Sequence, residues 1–255
     1  MRFALLGSGS AGNSLVVQEG HTTLLLDCGF SLRETILRLA RLGLEPEQVS
    51  GLLLTHEHVD HSRGAYRFSG HFKAPLYITH GTRVMLEPPP DHLDLRIIDV
   101  HDTFTVQDIE VHPYPVPHDA REPAQYVFSN GQSRLGVLTD TGNSTPHIES
   151  MLTGCHALVL ECNHDIDMLM TNPRYPYPLK QRIRGDYGHL DNMTSKALLS
   201  RLDNSSLRHI VAAHLSEKNN RPELARAALS EALNCSEDWI NVATQTEGTG
   251  WLDLE

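Results

Sequence analysis

No stretch of this 255-residue sequence approaches the roughly 20 consecutive apolar residues that a membrane-spanning helix needs. The N-terminal apolar run, Phe3 to Leu6, is short and breaks into glycines at Gly7, so no signal peptide is expected. Cysteine is scarce: Cys28, Cys155, Cys162 and Cys235 form no CxxC pair, which excludes a zinc ribbon or a dithiol redox motif and leaves four reduced thiols. Low-complexity segments are missing as well. Positive charge is short, with 21 Lys and Arg against 32 Asp and Glu for a net −11. That balance weighs against tight non-specific binding to nucleic acid, though not against a local basic lip. These absences predict a cytoplasmic globular protein, with residues 1–255 forming one domain.

Histidine, by contrast, is plentiful at 16 residues. The densest group is Thr55-His56-Glu57-His58-Val59-Asp60-His61, directly after the apolar run Leu52-Leu53-Leu54. In extended chain, alternate side chains share a face, so His56 and His58 can point at one ion, while Asp60 and His61 begin a new turn. Imidazoles with a carboxylate suit a borderline transition metal such as zinc.

Upstream, Gly7-Ser8-Gly9-Ser10-Ala11-Gly12 satisfies GxGxxG, and Asp27 lies twenty residues after Gly7. A dinucleotide site needs a helix after the glycines. Leu15-Val16-Val17 and Thr22 to Leu26 read as strands instead, so the motif is expected to form a tight turn near the metal site. Ser31-Leu32-Arg33-Glu34 reads as a capping box opening a helix that stops at Gly43. Further strands are expected at 75–79, 95–100, 104–106, 109–111, 125–129, 134–138, 157–161 and 209–213. Helices are expected around 64–67, 194–202 and 221–233, and Pro88-Pro89-Pro90 marks a loop.

A regularity links these elements. Leu24-Leu25-Leu26 runs into Asp27, Leu52-Leu53-Leu54-Thr55 into His56, Gly136-Val137-Leu138-Thr139 into Asp140, and Ile210-Val211-Ala212-Ala213 into His214. In packed sheets such strand ends converge on one edge, where open sheets place ligands. The pattern predicts an α/β fold of two mixed β-sheets faced by helices, in four layers.

His56-x-His58-x-Asp60-His61 followed by His118, Asp140 and His214, with Asp27 upstream, resembles the metallo-β-lactamase superfamily. Gly7 to Ser14, Glu161-Cys162-Asn163-His164-Asp165, Tyr177 to Arg182, Gly188-His189-Leu190-Asp191-Asn192 and Ala213 to Asn220 resemble its YycJ/WalJ-like, exonuclease-type group. The resemblance implies an αββα sandwich with two divalent metal ions at its edge, zinc first and manganese or iron able to take the same donors. It assigns His56, His58 and His118 to one ion and Asp60, His61 and His214 to the other, with Asp140 bridging and Asp27 holding a ligand from behind. Asp191 stands where the group carries Ser, which adds a carboxylate able to alter substrate fit.

The implied chemistry is hydrolysis by a metal-bridging hydroxide whose proton Asp60 or Asp140 orients. His189 resembles the proton donor of phosphodiesterases in the superfamily. The stretch from Asn172 to Arg184 is basic and aromatic in an acidic chain. Arg174, Lys180, Arg182 and Arg184 can hold phosphates and the tyrosines can stack on bases, which favours a phosphodiester, and by resemblance DNA, as substrate. The competing expectation is a small-molecule hydrolase acting on a cyclic phosphodiester, thioester or lactone. His164 falls in a matching stretch without an evident task.

Overall fold

The computed structural model describes residues 1–254. The chain opens with a meander, β1 (Arg2–Gly7), β2 (Ser14–Glu19) and β3 (Thr22–Leu26), followed by helix α1 (Leu32–Arg41) and strand β4 (Gly51–Leu53). Then come α2 (Val59–Ser62), α3 (Ala65–Phe72), β5 (Leu76–Thr79), α4 (His80–Met85) and β6 (Leu95–Ile98). The second half starts with β7 (Phe104–Val106), β8 (Ile109–Pro115), β9 (Ala124–Ser129) and β10 (Arg134–Leu138), then α5 (Pro146–Leu152) and β11 (Ala157–Glu161). It finishes with α6 (Ile166–Thr171), α7 (Tyr177–Ile183), α8 (Asn192–Leu199), β12 (His209–Ala213), α9 (Pro222–Leu233), β13 (Asn241–Val242) and β14 (Leu252–Asp253).

The strands form two seven-stranded sheets, ordered β14-β1-β2-β3-β4-β5-β6 and β13-β12-β11-β10-β9-β8-β7. Each sheet is antiparallel at its first strands and parallel from β3 to β6 or from β10 to β13. Strand alternation then sorts the leucines. Leu24, Leu26 and Leu53 pack between the sheets with Tyr126, Val137, Val159 and Val211. Leu25, Leu52 and Leu54 face the other way, onto Leu39 of α1 and Phe68 of α3. Behind the second sheet, Leu158, Leu160 and Ile210 meet Ile148 of α5, Leu198 of α8 and Leu229 of α9. The four-layer expectation therefore holds, with two mixed sheets between helical layers.

The glycine turn behaves as expected: β2, not a helix, follows Gly12. The capping box at Ser31 forms only in half. Ser31 Oγ accepts from Glu34 N (3.3 Å), but the Glu34 carboxylate turns to Arg38 Nε (2.8 Å) rather than back to the cap. Within the 172–184 stretch, Tyr177–Ile183 form α7, with Pro178 in its first turn, where the missing N–H costs nothing.

Candidate metal centre

Because β3, β4 and β5 are parallel, as are β10, β11 and β12, their carboxyl ends share one edge. Asp27 and His214 sit one residue past β3 and β12, Asp140 two past β10, and all three adopt left-handed backbone (φ 59°, 57° and 53°). That conformation is costly for residues with a Cβ and turns each strand sharply at the rim. His56 and His58 lie in an irregular segment after β4, with bends at Thr55 and Glu57, and α2 begins at Val59, so Asp60 and His61 occupy a helical turn. His118 follows β8. Gly29 fits the turn after Asp27 because a Cβ there would collide with the Asp60 carbonyl oxygen.

The donor atoms meet. His56, His58 and His118 bring one ring nitrogen each within 4.8 Å of one another, and so do the ring nitrogens and carboxylate oxygens of Asp60, His61 and His214, and of His56, His61 and Asp140. His61 Nε2 lies 3.1 Å from Asp140 Oδ2 and 3.5 Å from Asp60 Oδ2, and His214 Nε2 lies 3.4 Å from Asp140 Oδ1 and 3.6 Å from Asp60 Oδ2.

The opposite ring nitrogens are anchored, which fixes what faces inward. His61 Nδ1 donates to Asp27 Oδ2 (2.8 Å), while Asp27 Oδ1 accepts from Thr55 N (2.8 Å). His118 Nδ1 donates to the Gly188 carbonyl (3.2 Å), and His56 Nδ1 meets Thr55 Oγ1 (2.9 Å). Asp27 thus stands directly behind His61. The glycine turn reaches the same place: Asn13 Nδ2 is 3.1 Å from His61 Nε2, and Ser8 Oγ accepts from His214 N (2.8 Å).

Electrostatics tells the same story. Burial opposes every charge here, yet His214 and His61 hold the Asp140 carboxyl well below the usual range, and hold Asp60 low in the same way. Asp140 and Asp27 overcome burial to keep His61 protonated well above its usual value, and Asp140, Asp60 and Glu161 lift His214 to about 10. His56 goes the other way, lowered first by burial and then by cationic His61. Three buried atoms, His56 Nε2, His214 Nε2 and Asp140 Oδ2, find no hydrogen-bond partner. Although Asp140 Oδ2 is only 3.1 Å from His61 Nε2, the pair makes no hydrogen bond, as expected of two ligand atoms aimed at a common point. Leaving such atoms unmet costs roughly 1–3 kcal/mol each. A cation replaces the protons and satisfies all three, so the donor set fits a divalent metal.

Around this cluster lies a cleft of about 210 Å³ whose walls include His58, Asp60, Asp119, Arg182, His189 and His214. His189 enters from the α7 side, its ring stacked on His214 with centroids 5.3 Å apart. Its Nδ1 donates to Glu161 Oε1 (2.8 Å). Burial lowers the pKa of His189, but Glu161 and then Asp140 raise it above its usual value. Glu161 itself is held down to about 2, burial being outweighed by His189.

Glu161 was missing from the residues singled out by sequence. It is fully buried, and one carboxylate serves His189 Nδ1, Thr141 N (3.1 Å) and Leu190 N (3.2 Å) while lying 3.5 Å from His214 Nδ1. The signal was available, since Glu161 ends β11 as the other polar residues end their strands. Asp119 was missed too. It lies between His118 Nε2 (3.5 Å) and Arg182, whose Nε donates to Asp119 Oδ2 (2.6 Å).

The basic residues divide. Arg182 reaches the cleft wall. Lys180 does not: it is buried, and its Nζ donates to the Met170 carbonyl (2.7 Å), closing the end of α6. Arg184 is exposed beside Met170, and Arg174 is exposed outside the cleft. Asp191 does not alter the substrate wall either; its carboxylate caps α8, accepting from Met193 N (2.8 Å) and Thr194 Oγ1 (2.6 Å). His164 is buried behind it, with both ring nitrogens unpartnered.

Two layered mixed sheets with a histidine–aspartate cluster at their shared edge define a metal-dependent hydrolase of the metallo-β-lactamase fold. Residues 22–215 match the model of the beta-lactamase superfamily domain. The chain belongs to that superfamily, within its YycJ/WalJ-like group. It is 37% identical over 236 residues to Exodeoxyribonuclease YycJ of Bacillus anthracis, covering 91% of this chain and 89% of that protein. It is 31% identical over 237 residues to Exodeoxyribonuclease WalJ of Streptococcus pneumoniae, covering 91% and 88%. Among solved structures, zinc-bound PqqB of Methylobacterium extorquens superposes with a TM-score of 0.75 at 20% identity, covering 99% of this chain and all of the other. The YhfI protein of Bacillus subtilis superposes at 0.73 with 13% identity and 98% coverage of each. Among the described residues, no helix is long and apolar enough to cross a membrane.

Proposed function

We propose that this chain is a two-metal phosphodiesterase acting on nucleic acid, with DNA as its substrate and zinc as the first candidate metal. The observation that carries this reading is His189, an imidazole that donates Nδ1–H to buried Glu161, has its pKa raised by that carboxylate against burial, and stacks on His214 at the cluster's edge. An alkoxide leaving group, as in a phosphodiester, needs such a proton donor. The two relatives named exodeoxyribonucleases, aligned over nine-tenths of the chain, support the same choice.

His56, His58 and His118 would hold one ion, Asp60, His61 and His214 the other, with Asp140 between them. When bound, two such ions supply Lewis acidity and a water of lowered pKa. The protein's own residues do the rest. Asp27 and the Gly188 carbonyl keep the ring nitrogens of His61 and His118 turned inward. Asp60, kept ionised by His214 and His61, orients the attacking water by accepting a hydrogen bond from it. His189 Nε2, on the far side of the ring from Glu161, returns a proton to the departing oxygen. Arg182, tethered to Asp119, steadies the phosphate, while Lys180 serves α6 and α7 rather than substrate.

A cleft of about 210 Å³ also admits a small cyclic diester, so the test is a substrate panel. Metal-loaded protein is assayed on 5′-labelled single- and double-stranded DNA, RNA, bis(p-nitrophenyl) phosphate, a thioester and a β-lactam. Cleavage of DNA and of the aryl diester is expected. Turnover confined to the thioester or lactam would sink the reading.

A further inference from the structure

The chain's shortage of positive charge is reversed beside the cleft. Val59, Ser62, Arg63, Tyr66 and Arg67 recur at three- and four-residue steps along α2 and α3, which places them on one helix face. Arg63 and Gly64, between the two helices, also keep right-handed helical backbone. That face, together with Leu32 and Glu87, lines a groove of about 560 Å³. A second groove of about 410 Å³ shares Leu32, Tyr66 and Arg67 and carries on to His71 and His92. The two adjoin through Leu32, Tyr66 and Arg67 and form one track from Val59 at the start of α2 to His71 near the end of α3. Its near end adjoins the metal cluster, because Val59 stands between His58 and Asp60, both on the cleft wall.

The lining suits a polyanion with apolar bases. Arg63 and Arg67 are exposed. Arg83 of α4 lies close enough to Tyr66 to act on its hydroxyl. Among the described residues, no carboxylate forms an ion pair with any of these three arginines. The acid on the groove wall is Glu87, and Tyr66 Oη donates to its backbone carbonyl (3.1 Å). Glu34, on α1, is occupied by Arg38. Val59 is 62% exposed beside the half-buried ring of Tyr66.

We propose that this track binds the strand adjoining the scissile phosphate, with Arg63 and Arg67 on backbone phosphates and Tyr66 offering its ring to a base. The assignment rests on reading the chain as a nucleic-acid phosphodiesterase, and it names where the substrate beyond the reacting nucleotide lies.

The test compares the metal-loaded wild type with Arg63→Ala/Arg67→Ala on a long single-stranded oligonucleotide and on a dinucleotide, across a range of salt. The long strand is expected to lose about tenfold or more in kcat/KM relative to the dinucleotide. The slope of log kcat/KM against log salt should become shallower by about 1.4, since each lost phosphate contact on a single strand accounts for about 0.7. Arg63→Lys/Arg67→Lys, which keeps the charge, should restore the slope. Equal losses on both substrates with an unchanged slope overturn the track. A wild type that cleaves neither oligonucleotide but hydrolyses the thioester or lactam overturns the parent reading and the track with it, and that result is read without any variant.

Discussion

Replacing Glu161 by Gln isolates the proton-donor argument. The carboxylate is fully buried and takes His189 Nδ1–H at 2.8 Å. A hydrogen bond between charged groups contributes about 1.5–3 kcal/mol, and 1.36 kcal/mol is one pKa unit, so removing the charge should lower the His189 pKa by about 1–2 units. The sign follows from the raised value. His189 is protonated at low pH and loses its proton as pH rises through the folded pKa, so the donor fails on the alkaline limb of the rate profile. In Glu161→Gln that limb moves to lower pH. The amide can still accept from Thr141 N and Leu190 N through its oxygen, but its NH₂ then faces His189 Nδ1 and opposes the imidazolium. Near neutral pH, kcat should fall by about 10²-fold, within the range expected of a general acid. The assay is kcat against pH on metal-loaded protein, with metal content measured in parallel. An unshifted alkaline limb with full metal content would refute the reasoning. Loss of metal together with activity would show instead that Glu161 acts through His214, its neighbour at 3.5 Å.

Other perturbations follow from the same contacts. Asp27→Asn puts an amide against His61 Nδ1 and turns that ring's lone pair away from the cluster; metal affinity, read by calorimetry, should drop about 10–100-fold, and unchanged affinity would count against the anchoring role. Gly29→Ala drives a methyl into the Asp60 carbonyl; it should cost about 3 kcal/mol or more, seen as a lowered Tm, and an unaltered Tm would mean that the loop gives way freely. Lys180→Ala removes a buried hydrogen bond to Met170; it should destabilise by about 1–3 kcal/mol while leaving KM for DNA unchanged, and a raised KM at unchanged stability would put Lys180 back on the substrate.

Much of the centre was legible because it follows strand grammar. An apolar run marks a strand, and the polar residue after it marks the edge, so Asp27, His56, Asp140 and His214 could be picked out before any coordinates. The two-sheet, four-layer plan was legible for the same reason: the runs are short, β-rich and spaced by helical patterns. Glu161 escaped because it closes its strand rather than following it, although it obeys the same rule one residue earlier. Lys180 was misread because the direction of a helical side chain depends on what the helix packs against, which composition does not carry. The short helices α2, α4, α5, α6 and α7 span 4 to 7 residues, too few for a periodic signal, and tertiary contacts rather than propensity hold them.

The left-handed backbone at Asp27, Asp140 and His214 has a consequence for how this chain can change over time. At each position glycine would relax the turn by roughly 1 kcal/mol relative to any residue with a Cβ. At Asp27 the bonds to Thr55 and His61 outweigh that gain, whereas at Asp140, whose Oδ2 has no hydrogen-bond partner, a lineage selected for heat resistance alone has less to hold the side chain in place. Keeping Asp140 there ties durability to turnover, so gains in thermostability have to be found away from the sheet edge.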